Sequence, residues 1–184
     1  MSFQTEHKNK INNLTYQLNN TDELRRSSNG GNTILFTFPP KEEQEYIELL
    51  KNHFANNAEF IDIGSLFVSF IDSFENMDEF EEVYKSINPS SKIFKSESDP
   101  TEDLFDMIIN AIKQASVNQK IPILIKTGSL SGTGIENQNI MEHKFIMNEL
   151  KEPLIILYPS ILKENELYFL GIRVANKYRC TLVE

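Results

Sequence analysis

Two short apolar runs decide most of what this chain can become. Ile121-Pro122-Ile123-Leu124-Ile125 and Pro153-Leu154-Ile155-Ile156-Leu157-Tyr158 hold no charged side chain, yet are far too short to span a membrane. A strand with one wet face alternates apolar and polar residues. A run without alternation belongs to a strand covered on both faces, and two of them imply a parallel sheet between layers of helix. The flanking sequence fits. Thr33-Ile34-Leu35-Phe36-Thr37-Phe38 is β-prone and stopped by Pro39-Pro40, and Phe60-Ile61-Asp62-Ile63 is a short second strand before Gly64. Between them Tyr46, Leu49, Leu50, His53 and Phe54 recur at helical spacing, which predicts a helix over 41–55 with His53 packed on its apolar face.

Two further helices are predicted over 65–75 and 78–87, the first with Leu66, Phe67, Phe70, Ile71 and Phe74 on its inner face. Asp99-Pro100-Thr101-Glu102 is a helix-start signal for a helix reaching Val117, because a capping oxygen and the missing proline N–H deal with otherwise orphaned donors. A last helix is predicted over 140–150. The fourth strand is expected to stop at Pro159, and Glu166–Gly171 to pair with Tyr178–Val183. The alternation predicts a single α/β domain, a mostly parallel sheet with helices on both faces, in a P-loop or Rossmann-like layout. Residues 1–32 are polar and Asn-rich, and Ser27-Ser28-Asn29-Gly30-Gly31-Asn32 has linker composition. A flexible N-terminal arm over 1–32, with a loosely held helix near 8–26, is therefore expected ahead of the domain at 33–184.

Charge narrows the functional classes. The 184 residues carry a net charge of −9, which argues against broad nucleic-acid binding. Residues 41–106 hold 17 acids and 5 Lys or Arg, a net of −12, while the remainder is net +3. Such a block is either a set of solvated helix faces or a surface that steers a basic partner. Its densest part contains Glu75, Asp78, Glu79, Glu81 and Glu82. The single Cys180 excludes a disulfide framework and a cysteine metal cluster, and the polar start Met1–Lys10 is no signal peptide, so the cytoplasm is the expected compartment. No membrane association and no cofactor are expected.

Gly128-Ser129-Leu130-Ser131-Gly132-Thr133-Gly134 follows a buried strand, as a phosphate loop would, but Ile135-Glu136 stand where Gly-Lys-Ser/Thr is needed. Phe38-Pro39-Pro40-Lys41-Glu42-Glu43, at the first strand-to-helix junction, carries prolines and carboxylates where nucleotide binders carry glycines. A nucleotide switch or enzyme using Gly128, Ser129, Gly132, Thr133, Gly134 and His143 is the alternative to a partner-contacting loop. Lys177, Tyr178 and Arg179 form a basic, aromatic cluster suited to protein contact and, as a further alternative, to DNA. No coherent catalytic set emerges.

The same C-terminal residues support a resemblance. Gly128-Ser129-Leu130, the helix Glu142-His143-Lys144-Phe145-Ile146-Met147-Asn148-Glu149-Leu150, the strand reaching Tyr158-Pro159, Leu167-Tyr168-Phe169-Leu170-Gly171 and Tyr178-Arg179, together with Pro40 and Glu43, resemble the BrxB family, small accessory proteins of bacterial BREX phage-defence systems. The resemblance spans roughly residues 33–184. It departs at Ser160 (a family Gly), at Lys177 (a family Tyr) and at Met141-Glu142, where the family has an Arg. It implies a non-catalytic component of an anti-phage complex whose partners are other BREX proteins, above all the alkaline-phosphatase-like PglZ.

Overall fold

A computed structural model describes residues 3–87, 89–96, 102–175 and 177–184. In chain order the elements are α1 (Phe3–Asn19), α2 (Thr21–Ser27), β1 (Thr33–Phe38), α3 (Glu43–Phe54), β2 (Ala58–Asp62), α4 (Ile63–Asp72), α5 (Met77–Ser86), α6 (Leu104–Val117), β3 (Ile121–Ile125), α7 (Asn137–Met141), α8 (Lys144–Asn148), β4 (Leu154–Lys163), β5 (Glu166–Phe169), β6 (Arg173–Val174) and β7 (Thr181–Val183). Five strands form a parallel sheet in the order β2-β3-β4-β1-β7. This is the α/β architecture that the two apolar runs require.

Strand alternation divides the core into two layers. Ile34, Phe36, Phe38, Ile123, Ile125, Ile155 and Leu157 face α1, α2 and α3; Leu35, Leu124, Ile156 and Tyr158 face α4, α6, α7 and α8. The chain leaves β1 for the far edge at β2, then returns strand by strand, and β4 leads on to β7. The adjacent strands β1 and β4 thus send their connections in opposite directions, and such a switch point opens a crevice at the carboxyl ends of the strands.

Residues 3–32 pack onto the sheet instead of trailing from it as an arm. Leu14 and Leu24 are fully buried and Ile11 is nearly so, all against the layer that holds Phe36 and Tyr46. The asparagines and serines of the apparent linker are tethers. Asn32 is completely buried and its Nδ2 donates to the Leu150 carbonyl at 2.9 Å, while Ser28 Oγ donates to the Leu24 carbonyl at 2.6 Å. Arg25 donates to the same Leu150 carbonyl at 3.1 Å. Three apolar residues suffice here because the strand face beneath them supplies the rest of the core.

Other boundaries move for identifiable reasons. The helix expected from Asp99 begins at Leu104, capped by Asp103, whose Oδ1 accepts from Asp106 N–H at 2.8 Å; Asp99, Pro100 and Thr101 lie outside the described residues. His53 points outward and its Nε2 lies 3.2 Å from Thr15 Oγ1, since α3 turns Ile47 inward instead. The single helix over 140–150 is two short ones, broken at Glu142-His143. Pro159 does not stop β4. The strand runs on for four residues past it, because beyond the parallel sheet it pairs antiparallel with β5. Consequently β5 pairs with β4 and β6, whereas β7 pairs parallel with β1; the two C-terminal segments do not pair with each other.

Candidate functional site

The carboxyl ends of β1, β2 and β3 gather three charged side chains. Asp62 ends β2 and caps α4, accepting from Ser65 N–H at 3.0 Å. Lys126 follows β3 in the left-handed region, φ 54°, a conformation most side chains avoid. That turn aims its ammonium at Asp62, at 2.7 Å. Glu43 opens α3, and its Oε1 is buried without a hydrogen-bond partner. Burial alone would raise the Asp62 carboxyl, but the bonds from Lys126 and Ser65 outweigh it and hold Asp62 below the usual range. Glu43 moves the other way: burial raises it, and the opposing pull of Lys126 is not enough. The cluster therefore keeps two carboxyls of different affinity for a proton around one lysine.

The glycine loop starts beside this cluster. A Cβ on Gly64 would stand 3.3 Å from Ser129 Oγ. Residues Thr127–Leu130 form a 3-10 turn, and Thr127 Oγ1 donates to the Leu157 carbonyl at 2.5 Å. Four of the loop amides are occupied internally: Ser129 donates to Lys126, Ser131 to Gly128, Thr133 to Leu130, and Ile135 to Thr133 Oγ1. A phosphate cradle needs such N–H groups turned outward. Here they hold the loop to itself, with Gly132 and Gly134 at φ +88° and +75° making its bends.

His143 is spent on structure. It is the N-cap of α8, its Nδ1 accepts from Phe145 N–H at 3.3 Å, and its ring lies edge-on to Phe105. Burial, and then the Lys113 charge, lower its proton affinity. The fold thus favours the neutral ring, so below the ordinary value of 6.5 the unfolded chain takes up the proton first. Stability is full above that pH and declines on acidification. His143→Asn puts a capping oxygen in place of Nδ1 and removes the titration. Urea midpoints measured between about pH 7 and pH 5 are expected to fall less steeply in the variant than in the parent.

The other candidate residues separate into two regions. Glu75, Asp78, Glu79, Glu81 and Glu82 are all exposed on or just before α5. Two of them are engaged: Glu79 accepts from Glu75 N–H in the first turn of α5, and Glu81 pairs with Lys85 at 2.6 Å. An intervening turn connects α5 to the glycine loop. A Cβ at Gly134 would stand 2.9 Å from Ser91 Cβ, in the 3-10 turn Ser90–Ile93 that packs on α5. The loop in turn meets the tip of the β5–β6 hairpin, where Arg173 pairs with Glu136 at 2.5 Å and a shallow 180 Å³ cleft opens between Gly132, Gly134, Leu170 and Ile172. Tyr178 and Arg179 do not join them. They precede β7 and lie at the amino end of the sheet, with the Arg179 carbonyl against Gly31 and its guanidinium over the Tyr178 ring.

The remaining motif residues have structural duties. Pro40 opens the 3-10 turn leading into α3, Leu150 is buried and offers its carbonyl to Asn32, Pro159 lies within β4, and Gly171 makes the hairpin turn at φ +72°. Asn148 ends α8, exposed. Cys180 is partly packed on the core, and burial pushes its thiol up to about 12, far from thiolate reactivity.

The C-terminal hairpin is a surface that sequence reasoning missed. Ile161, Tyr168 and Val174 line up across its three strands, with Ile161 42% and Val174 50% exposed, and Leu162 and Ile172 stand out further at 62% and 77%. In sequence Ile161 and Leu162 read as the end of a buried strand, and nothing local marks them as exposed. No helix among the described residues is long and apolar enough to cross a membrane. No family model, no curated protein and no solved structure matches this chain.

Proposed function

We propose that the chain is a docking protein: a non-catalytic member of a BREX anti-phage complex that works through protein–protein contact, with PglZ as its principal partner. The observation that carries the docking reading is the set of four large hydrophobics left in water on the β4–β6 hairpin, Ile161 and Val174 on one face, Leu162 on the other and Ile172 in its turn. Exposed apolar patches on a folded chain mark contact sites more often than chance surfaces do. The acidic strip on α5 adds a steering field beside it. The assignment to BREX rests on the sequence resemblance to the BrxB family.

The test uses the intact chain. Asp78 and Glu82 are exposed, so replacing both by Lys leaves the fold in place. Pull-down of PglZ by this variant is expected to weaken by about tenfold at low salt, and the difference to shrink as salt screens the field. A second variant, Leu162→Glu with Ile172→Glu, is expected to abolish capture at any salt. A parent chain that captures no PglZ would overturn the partner, and capture undiminished in both variants would overturn the docking surfaces.

A further inference from the structure

The parallel sheet ends in a free edge. β2 pairs with β3 on one side and, among the described residues, with no strand on the other. The opposite edge is managed differently: β7 is only three residues long and has α1 packed on it. The strand register tells which backbone groups β2 leaves over. Ile121 N–H donates to the Asn57 carbonyl at 2.8 Å, and Ala58 stands opposite Ile121. In a parallel ladder alternate residues turn both of their groups to one neighbour. Asn57, Glu59 and Ile61 therefore bond to β3, and Ala58 and Phe60 turn N–H and C=O outward. Edge groups of this kind are a template for another strand.

A groove of about 280 Å³ runs beneath that edge, between β2 and α6, with Ile61, Leu66, Ala111 and Ala115 as apolar lining and Glu59 and Gln114 at the rim. The space exists because α6 presents Ala111 and Ala115, one turn apart, while its larger Ile108 and Ile112 point into the core. Side chains of a strand laid along β2 alternate between the faces of the sheet, and those on the α6 face enter the groove. There they also meet Glu59, which is exposed and has no ion-pair partner among the described residues. On the other face Phe60 lies under the Lys51 ammonium, 5.8 Å from its ring centre.

The occupant follows from these features. An extended polypeptide offers donors and acceptors at the strand repeat, which a small molecule does not. Its cation belongs over Glu59, and an aliphatic side chain two residues on belongs over the alanines. A second copy of this chain brings the wrong charge, because β2 has two acids and no base, and residues 41–106 are net −12 in each copy. We infer that the free edge of β2 takes up an extended, basic segment of a partner protein as an added strand, its lysine or arginine on Glu59 and an aliphatic side chain in the groove over Ala111 and Ala115.

This edge shares no residue with the hairpin or α5, so it is tested apart from the docking reading. The probe is the peptide acetyl-Thr-Lys-Thr-Val-Thr-Lys-amide, with lysine and valine on one face and threonine on the other. It is titrated into the isotope-labelled full chain, and amide hydrogen exchange is followed by NMR. The Ala58 and Phe60 amides are expected to exchange freely in the unliganded chain and to slow at least about tenfold when the peptide is bound. Resonances of Glu59, Ala111 and Ala115 are expected to shift with them. The same peptide N-methylated at every residue is expected not to bind, since it brings no strand donors. Glu59 is exposed, so Glu59→Lys leaves the fold in place. That variant is expected to lose about fivefold in affinity for the lysine peptide at low salt, and to prefer the peptide with glutamate in place of lysine. Four results would each overturn the inference. They are no slowing at about 5 mM peptide, binding of the N-methylated peptide, an unchanged preference in Glu59→Lys, and concentration-dependent protection of Ala58 and Phe60 without peptide, which would give the edge to a second copy.

Discussion

A chain beginning at Thr33 is expected not to fold. The cut looks innocent in sequence, since it removes a polar, Asn-rich stretch and leaves every strand intact. In the structure it strips α1 and α2 from one face of the sheet. Leu14 and Leu24, both fully buried, and Ile11 leave with them. Burial of each such side chain contributes about 1.5–3 kcal/mol, and the cut also exposes the underlying layer of Phe36, Phe38 and Tyr46. Against a typical total of about 5–15 kcal/mol, the loss takes most or all of the stability. The measurement is near-UV circular dichroism with urea titration. The truncated chain is expected to show no cooperative transition. Leu24→Ala alone, in the full chain, is expected to cost about 2–5 kcal/mol. A truncated protein that unfolds cooperatively near the parent's midpoint would restore the idea of a dispensable arm.

Glycine 31 carries the second large effect. A methyl group there would overlap the Arg179 carbonyl oxygen, a backbone atom that cannot rotate away. Relief requires β7 to separate from β1, or Asn32 to leave the Leu150 carbonyl. Gly31→Ala is therefore expected to destabilise by about 3 kcal/mol or more, at the upper end of overpacking costs. Gly132→Ala makes the internal control. Its φ is +88° but nothing stands within 4 Å, so only backbone strain is lost, about 1 kcal/mol. Denaturant midpoints of the two variants separate a steric cost from a conformational one. Equal losses would mean that the β1–β7 edge yields easily.

These two sites also show how far the sequence could be read. The sheet was legible because its central strands are covered on both faces, and unbroken runs such as Ile121–Ile125 have few other uses. Leu14 and Leu24 were not legible. Three apolar residues among asparagines look insufficient until the strand face that completes their packing is known, and that face is 20 residues away in sequence. Pro159 misled for a related reason. A proline usually ends a ladder, but here the strand leaves the parallel sheet and finds a new antiparallel partner, which no local signal announces. The site was half visible. The glycine loop and the acid strip could be named, but not that the loop spends four of its amides on itself, nor that Tyr178 and Arg179 belong to the other end of the sheet.

The ten-residue strand β4 belongs to two sheets at once. Its first half is hydrogen-bonded between β1 and β3 at the centre of the molecule, and its second half is the first strand of the exposed hairpin. The hairpin therefore has no hinge at its base. It is a cantilever rooted in the central ladders, and a load applied at its tip is carried along one covalent strand into the ladders on either side. A partner that grips the hairpin grips the middle of the domain.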